Sequence, residues 1–337
     1  MKINLLSDTI TKPSKEMRKA MSNALVGDDV FGEDPTVNTL QEKLSKMFRK
    51  EAGLFCPSGT MTNQIAIKVH TNPLDEIICD KSSHVYQYET AGYAFNSGVG
   101  VNLLEGEYGK ITPDLISKAI KKVHDWLPLS KLVVLENSTN KGGGNYYTFE
   151  EMQAISRLCK EKDLKLHLDG ARLFNVLVET KDSTESIGDL FDSISICLSK
   201  GLGAPIGSVL LGENAFITEA RRYRKVMGGG MRQSGIIAAA GIFALDHNIE
   251  RLKTDNDNAT EIGKLLTSLP YVSSVNPVKT NIVIFTLKDE TAVSFVDRLA
   301  KENIVASPFG EYMVRFVTHM EFTESQKALL FEKLKQM

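Results

Sequence analysis

Between residues 131 and 211 the chain repeats one pattern: short runs of β-branched and aliphatic residues, each ended by a polar residue or glycine. KLVVLEN (131–137), LKLHLD (164–169), DSISICLS (192–199) and GSVLL (207–211) read as buried strands. Between the first two, Thr148 and Glu151 form a capping-box pair at the start of EEMQAISRLCKEK, in which Met152, Ile155 and Cys159 share a face. That segment reads as a helix. Strand–helix–strand order admits few folds. It requires an α/β architecture with a mostly parallel central sheet and helices on both faces. In such sheets ligands bind beyond the carboxyl ends of the strands.

The flanking segments extend the pattern. Asp34-Pro35 supplies N-cap and first residue for a helix whose Val37, Leu40, Leu44 and Phe48 form one apolar stripe. A second helix is expected within PSGTMTNQIAIKVH (57–70). After the helical run 233–253 the character changes: YVSSV, NIVIFTL and YMVRFVT read as short strands, with helices at 290–301 and 323–335. The expected division is a large domain with an N-terminal arm, 1–249, and a smaller C-terminal α+β domain, 250–337.

Charge narrows the partner. Forty Lys and Arg against 42 Asp and Glu leave a net charge of −2, without the basic excess of a nucleic-acid or membrane-surface protein. A small molecule is the expected partner. The four cysteines form no CxxC pair, so no metal site is expected, and they read as buried thiols of a reducing compartment. MKINLLSDTITKPSKEM turns polar too soon for a signal peptide, and IIAAAGIFAL (236–245) is too short to span a bilayer. A cytoplasmic location is expected.

Chemistry concentrates at strand ends. Lys200 follows ISICLS and precedes GLGAPIG. A partly desolvated lysine forms Schiff bases with carbonyls, whereas a merely solvated one would snorkel out of the strand end. Gly201 and Gly203 favour the first reading, because they let backbone approach something bulky. The glycine spacing matches neither a dinucleotide nor a P-loop pattern. Asp169 ends the strand LKLHLD and reads either as a salt-bridge partner of Arg172 or as the carboxylate facing the ring nitrogen of a pyridine cofactor. Ser58, Gly59 and Thr60 begin a helix and offer a phosphate seat, or in the case of Ser58 a plain N-cap. Arg315 lies between apolar neighbours in YMVRFVT and needs an anion: Glu311 from within, or a substrate carboxylate.

Lys200, Asp169 and the Ser58–Thr60 helix start resemble the anchors of fold-type I pyridoxal-phosphate enzymes, the aspartate-aminotransferase type. More narrowly, LLSDTITKPS, VGDDVFGEDPTVNTLQ, PSGTMTN, LHLDGARLFN, ICLSKGLGAPIGSVL and RKVMGGGMRQSGI resemble low-specificity L-threonine aldolases over essentially the whole chain. The resemblance implies pyridoxal 5′-phosphate on Lys200, Asp169 at the pyridinium nitrogen and His84 stacked on the ring. It implies a phosphate site of Gly59 and Thr60, with Lys225 and Arg232 reaching a neighbouring subunit. Ser7, Arg172 and Arg315 would hold the substrate carboxylate. A homo-oligomer built as a dimer of dimers, a homotetramer with shared active sites, is implied as well.

The implied reaction is retro-aldol cleavage of L-threonine or L-allo-threonine to glycine and an aldehyde. The proton acceptor for the β-hydroxyl is open among His84, His124, Glu89 and a bound water. Two departures from the family pattern bear on it: ENSTN (136–140) places Thr139 where relatives have histidine, and Trp126 stands where many have another histidine, with His124 as a shifted equivalent. These keep two alternatives in play, a β-eliminating lyase and an aldolase for bulkier aromatic β-hydroxy amino acids.

Overall fold

A computed structural model describes all 337 residues. The central sheet has seven strands: β1 (Ala52–Cys56), β2 (Asp75–Asp80), β3 (Gly100–Leu104), β4 (Leu129–Glu136), β5 (Lys165–Gly170), β6 (Ser193–Cys197) and β7 (Ser208–Gly212). Their spatial order is β1-β7-β6-β5-β4-β2-β3. All run parallel except β7, which pairs antiparallel with both β1 and β6. The cause is the length of its connection. A parallel return needs a crossover of about a dozen residues or more, and residues 198–207 supply only a turn.

Strand residues alternate between two apolar layers rather than between core and solvent. Phe55, Ile78, Val133, Leu135, Ile194, Ile196, Val209 and Leu211 face one core, formed with helices Pro35–Met47, Phe149–Glu161 and Gly235–His247. Leu54, Cys56 and Leu210, with Ile77, Cys79, Leu132 and Val134, face the other side, where helices Gly59–His70 and Asn214–Val226 pack. Burial on both faces is why these strands read as continuous apolar runs. All four cysteines are free and buried within these layers.

Past helix Leu252–Thr267 a second, antiparallel sheet forms from β8 (Val272–Val275), β9 (Ile282–Leu287), β10 (Ser307–Pro308) and β11 (Met313–Val317). Helices Ala292–Lys301 and Glu324–Gln336 complete this body. The first residues of the chain cross to it: Ile3–Asn4 pairs in parallel with Ile304–Val305, and Ile3 and Leu5 enter its apolar core. The arm then carries residues 7–11 back over the carboxyl ends of the large sheet, where the Thr11 hydroxyl donates to the Lys200 carbonyl at 3.0 Å. No helix is long and apolar enough to cross a membrane.

One carboxylate joins two helices at their N-termini. Asp34 Oδ1 accepts from the backbone N–H groups of Thr36 and Val37, and its Oδ2 accepts from that of Gly235. The Asp34→Ala change removes both caps at once. It is expected to cost about 2 kcal/mol, the upper end for a single N-cap, read as a lower midpoint in chemical denaturation.

Candidate active site

A cavity of about 410 Å³ opens at the carboxyl ends of the central strands and is closed on one side by the small body. It is lined by Ser7 and Thr9 from the arm, His84, Tyr88, Glu136, Asn140, Arg172 and Lys200 from the large body, and Ser307, Phe309 and Arg315 from the small one. Ser7, His84, Arg172, Lys200 and Arg315 were expected together, and all five line it.

Lys200 sits half-buried in the turn after β6. Its neighbouring glycines serve the protein, not a ligand. A Cβ on Gly201 would meet Leu252 at 2.9 Å, and one on Gly203, at φ +81°, would meet the Met320 sulfur at 2.9 Å. The bulk they accommodate is the packed wall behind the turn.

Asp169 is buried at the end of β5. Its Oδ2 accepts from Asn63 Nδ2 at 2.9 Å and its Oδ1 from the Ala171 N–H at 3.1 Å. It makes no pair with Arg172, whose Nε and Nη2 both donate to Asp8 at 2.7 Å. Burial opposes the Asp8 charge, but Arg172 and Lys200 outweigh it and hold that carboxyl down to about 2. With its fork closed on Asp8, Arg172 has three N–H groups left, two on Nη1 and one on Nη2.

His84 opens a short helix on the cavity wall. Its backbone N–H donates to Glu136 Oε2 at 2.8 Å, and its Nδ1 lies 2.8 Å from Glu89 Oε1. Burial disfavours the imidazolium, yet the Glu89 bond and the charges of Asp169, Glu89 and Glu136 prevail and raise its pKa above the usual histidine range. Glu136 bridges two walls, accepting also from the Asn140 N–H at 2.8 Å. Burial, and then the charge of Asp169 on the adjacent strand, raise its pKa.

Arg315 has no carboxylate partner; Glu311 is not its counter-ion. Its Nη1 donates to Asn140 Oδ1 at 2.9 Å and its Nη2 to the Leu6 carbonyl at 3.1 Å. Its Nε is buried without any partner, and the guanidinium stands 4.8 Å from the centre of the Phe309 ring. Burial, and next the positive charge of Arg172, depress its pKa. A desolvated guanidinium in this state is a ready receptor for an anion.

The remaining expected residues lie outside the cavity lining. Ser58 Oγ caps helix Gly59–His70 by accepting from the Met61 N–H at 3.2 Å. The first intrahelical bond runs from Thr62 N to the Ser58 carbonyl, so the N–H groups of Gly59 and Thr60 precede the ladder. Beside them the buried Ser208 hydroxyl has no partner, 3.5 Å from where a Gly59 Cβ would stand. Lys225 is exposed at the end of helix Asn214–Val226, and Arg232 pairs with Asp28 at 2.7 Å on the surface. His124 stacks on Trp126 in an exposed loop, centroids 4.5 Å apart, and reaches nothing in the cavity of its own chain. Thr139 is buried behind the wall, its hydroxyl donating to the Tyr108 carbonyl at 2.9 Å. Neither Thr139 nor Trp126 lines this cavity.

Glu136, Asn140, Tyr88 and Asn63 were not singled out by sequence reasoning. Glu136 ends β4 in register with Asp169, so the strand-end rule that selected Asp169 applies to it equally.

A family profile described as β-eliminating lyase matches residues 4–290. The chain is 38% identical to a low specificity L-threonine aldolase of Escherichia coli (strain K12), over 97% of this chain and 96% of that protein. It is 40% identical to a low specificity L-threonine aldolase of Saccharomyces cerevisiae, over 85% of this chain and 74% of that one. In fold it is similar to the Leishmania major threonine aldolase, with a TM-score of 0.87 at 21% identity and 99% of both chains covered.

Proposed function

The chain belongs to the β-eliminating lyase family and, within it, to the low-specificity L-threonine aldolases, and from that premise we propose that it cleaves L-threonine and L-allo-threonine to glycine and acetaldehyde. Pyridoxal 5′-phosphate fits the residues present. An amine and a guanidinium without a carboxylate partner line one cavity, the buried carboxylate of Asp169 ends the strand next to the one that leads to Lys200, and an orphaned hydroxyl lies beside unused N–H groups at a helix start, which suits a phosphate. When bound, the cofactor supplies an aldehyde for attachment to an amine and a cationic ring that accepts the electrons of a broken bond at Cα.

The geometry supports the following contributions of the protein's own residues. Lys200 offers the amine that receives the cofactor. Asp169, oriented by two N–H donors, would be the partner for the ring nitrogen. Gly59 and Thr60 cradle the phosphate by their N–H groups, with Ser58 fixing the helix start. Arg315 grips the substrate carboxylate, with Ser7 beside it, and this grip fixes which bond at Cα is aligned for cleavage. Arg172 supports the arm through Asp8, with three N–H groups left over. Glu89 holds the His84 Nδ1 proton, which leaves Nε2 to accept the β-hydroxyl proton.

The observation that carries this reading is Arg315, which lines the cavity that holds Lys200, without a carboxylate partner and with a buried Nε left unpaired. Incubation with L-threonine is expected to yield glycine and acetaldehyde in equal amounts. Release of ammonia and a keto acid instead would establish β-elimination and overturn it.

Our division at residue 249 puts Lys200 and Asp169 on the large domain and Arg315 on the small one, so the cavity needs both. Lys225 and Arg232, exposed and absent from the lining of their own cavity, support a subunit contact in which each completes a neighbour's phosphate site, and the family resemblance extends this to a dimer of dimers. His124 belongs to the same reading, as a substrate-side residue offered across a subunit contact. Light scattering at the mass of four chains tests the assembly. A cytoplasmic location completes the reading, supported by four unpaired thiols.

A further inference from the structure

Behind the cavity, a line of buried polar groups runs from Asp169 through the sheet to the far end of helix Gly59–His70. Asn63 Nδ2 lies 2.9 Å from Asp169 Oδ2 and 2.9 Å from Glu89 Oε1. Glu89 also receives Gln64 Nε2, 2.6 Å from its other oxygen, and His84 Nδ1. Two carboxylates that collect donors in this way are acceptors, so the Asn63 nitrogen, not its oxygen, must face them.

Every other proton in the line is then fixed. Asn63 Oδ1 faces His167 Nε2 at 3.1 Å, so that nitrogen carries a hydrogen. His167 is fully buried on β5, and burial pushes its pKa down to about 4, leaving a neutral ring. A neutral ring protonated at Nε2 has a bare Nδ1, 2.8 Å from Ser193 Oγ, so the Ser193 hydroxyl donates to it. The Ser193 oxygen must in turn accept from His70 Nε2 at 2.8 Å. His70, its ring stacked on Phe216 with centroids 4.5 Å apart, closes the line. This arrangement of hydrogens satisfies all five groups at once.

We propose that His167 and Ser193, which do not touch the cavity, are positioning residues that lock the Asn63 amide with both its N–H groups on Asp169 and Glu89. The lock keeps Asp169 an oriented carboxylate and Glu89 free to hold the His84 Nδ1 proton. Without the His167 donor, the Asn63 oxygen is buried unpaired and the amide can turn that oxygen toward two carboxylates. The ionisable groups facing Asp169 are His84 and Glu89 on one side and Glu136 on the neighbouring strand. This inference rests on the reading of Asp169 as the partner of the cofactor nitrogen.

Two measurements separate the relay from that reading. In the full-length, cofactor-free protein labelled with ¹⁵N-histidine, the ring nitrogens of His167 and His70 at pH 7 are expected to show hydrogen on Nε2 and none on Nδ1. Hydrogen on His167 Nδ1, or a charged ring, overturns the relay whatever the protein's function. In the loaded enzyme, Ser193→Ala and His167→Phe are expected to lower kcat roughly tenfold, the lower range for residues that orient a ligand at one remove. Both should shift the pH midpoint of the cofactor's visible absorption by about one unit through the altered Asp169. His167→Gln, which keeps a donor for Asn63, should restore most of both. Loss of thermal stability alone, with kcat and midpoint unchanged in Ser193→Ala, overturns the proposal. The expected ring protonation together with no visible band in the unaltered enzyme overturns the functional reading on which it rests.

Discussion

Lys200→Ala is expected to abolish turnover, leaving less than about one part in a thousand of the activity, and to give a colourless protein that borohydride cannot label. The amine is the one group in the cavity able to bond covalently to an aldehyde, and no other lysine lines it. Loss of such a nucleophile removes a whole step, so the penalty exceeds that of any orienting contact. The fold should survive. Lys200 is half-buried, and the turn's contacts are made by its carbonyl, which accepts from Thr11 and from Gly203, bonds that alanine keeps. An unchanged denaturation midpoint alongside lost activity would therefore localise the effect to the amine. Normal acetaldehyde release by Lys200→Ala would remove the covalent role altogether.

The strands, the capped helices and the strand-end and helix-start positions of Lys200, Asp169 and Ser58–Thr60 were legible because each follows from local chemistry. The Thr148–Glu151 capping box forms as the sequence implies, with both reciprocal bonds present. The strand ends that bear Asp169 and Lys200 are adjacent in the sheet, since β5 pairs with β6. What was not legible depends on distant segments. Nothing local to HLDGAR tells Arg172 to turn from Asp169 to Asp8, because Asp8 arrives on an arm first anchored in the other body. Nothing local to GLGAP says that its glycines pack on Leu252 and Met320. Asn63 was passed over because its neighbours, Glu89, His167 and Asp169, come from three separate segments. Lys225, Arg232 and His124 belong to another category, since their surroundings in an assembly are not encoded in one chain's interior.

Arg315→Ala tests the substrate side with a large and separable effect. Truncating one partner of a buried, hydrogen-bonded charge pair typically costs about 2–5 kcal/mol, which corresponds to a loss of about 30-fold to 5,000-fold in kcat/KM. Part of the Arg315 grip is prepared before substrate arrives. Asn140 Oδ1 and the Leu6 carbonyl fix two nitrogens, Phe309 supports the guanidinium face, and Nε waits without a partner. In the proposed reaction the substrate carboxylate would be the anion that relieves this buried charge. The loss should fall on KM and also on kcat, because the same grip decides which bond at Cα is aligned. Cofactor affinity should change little, as Lys200, Asp169 and the Gly59–Thr60 turn are untouched. Arg315→Lys should recover only a small part, since an ammonium cannot make the two-pronged contact or stack on Phe309. An amine lacking the carboxylate provides the control: its weak binding should be the same in Arg315→Ala as in the unaltered enzyme. Unchanged kinetics with L-threonine in Arg315→Ala would move the carboxylate site elsewhere and leave the buried Nε unexplained.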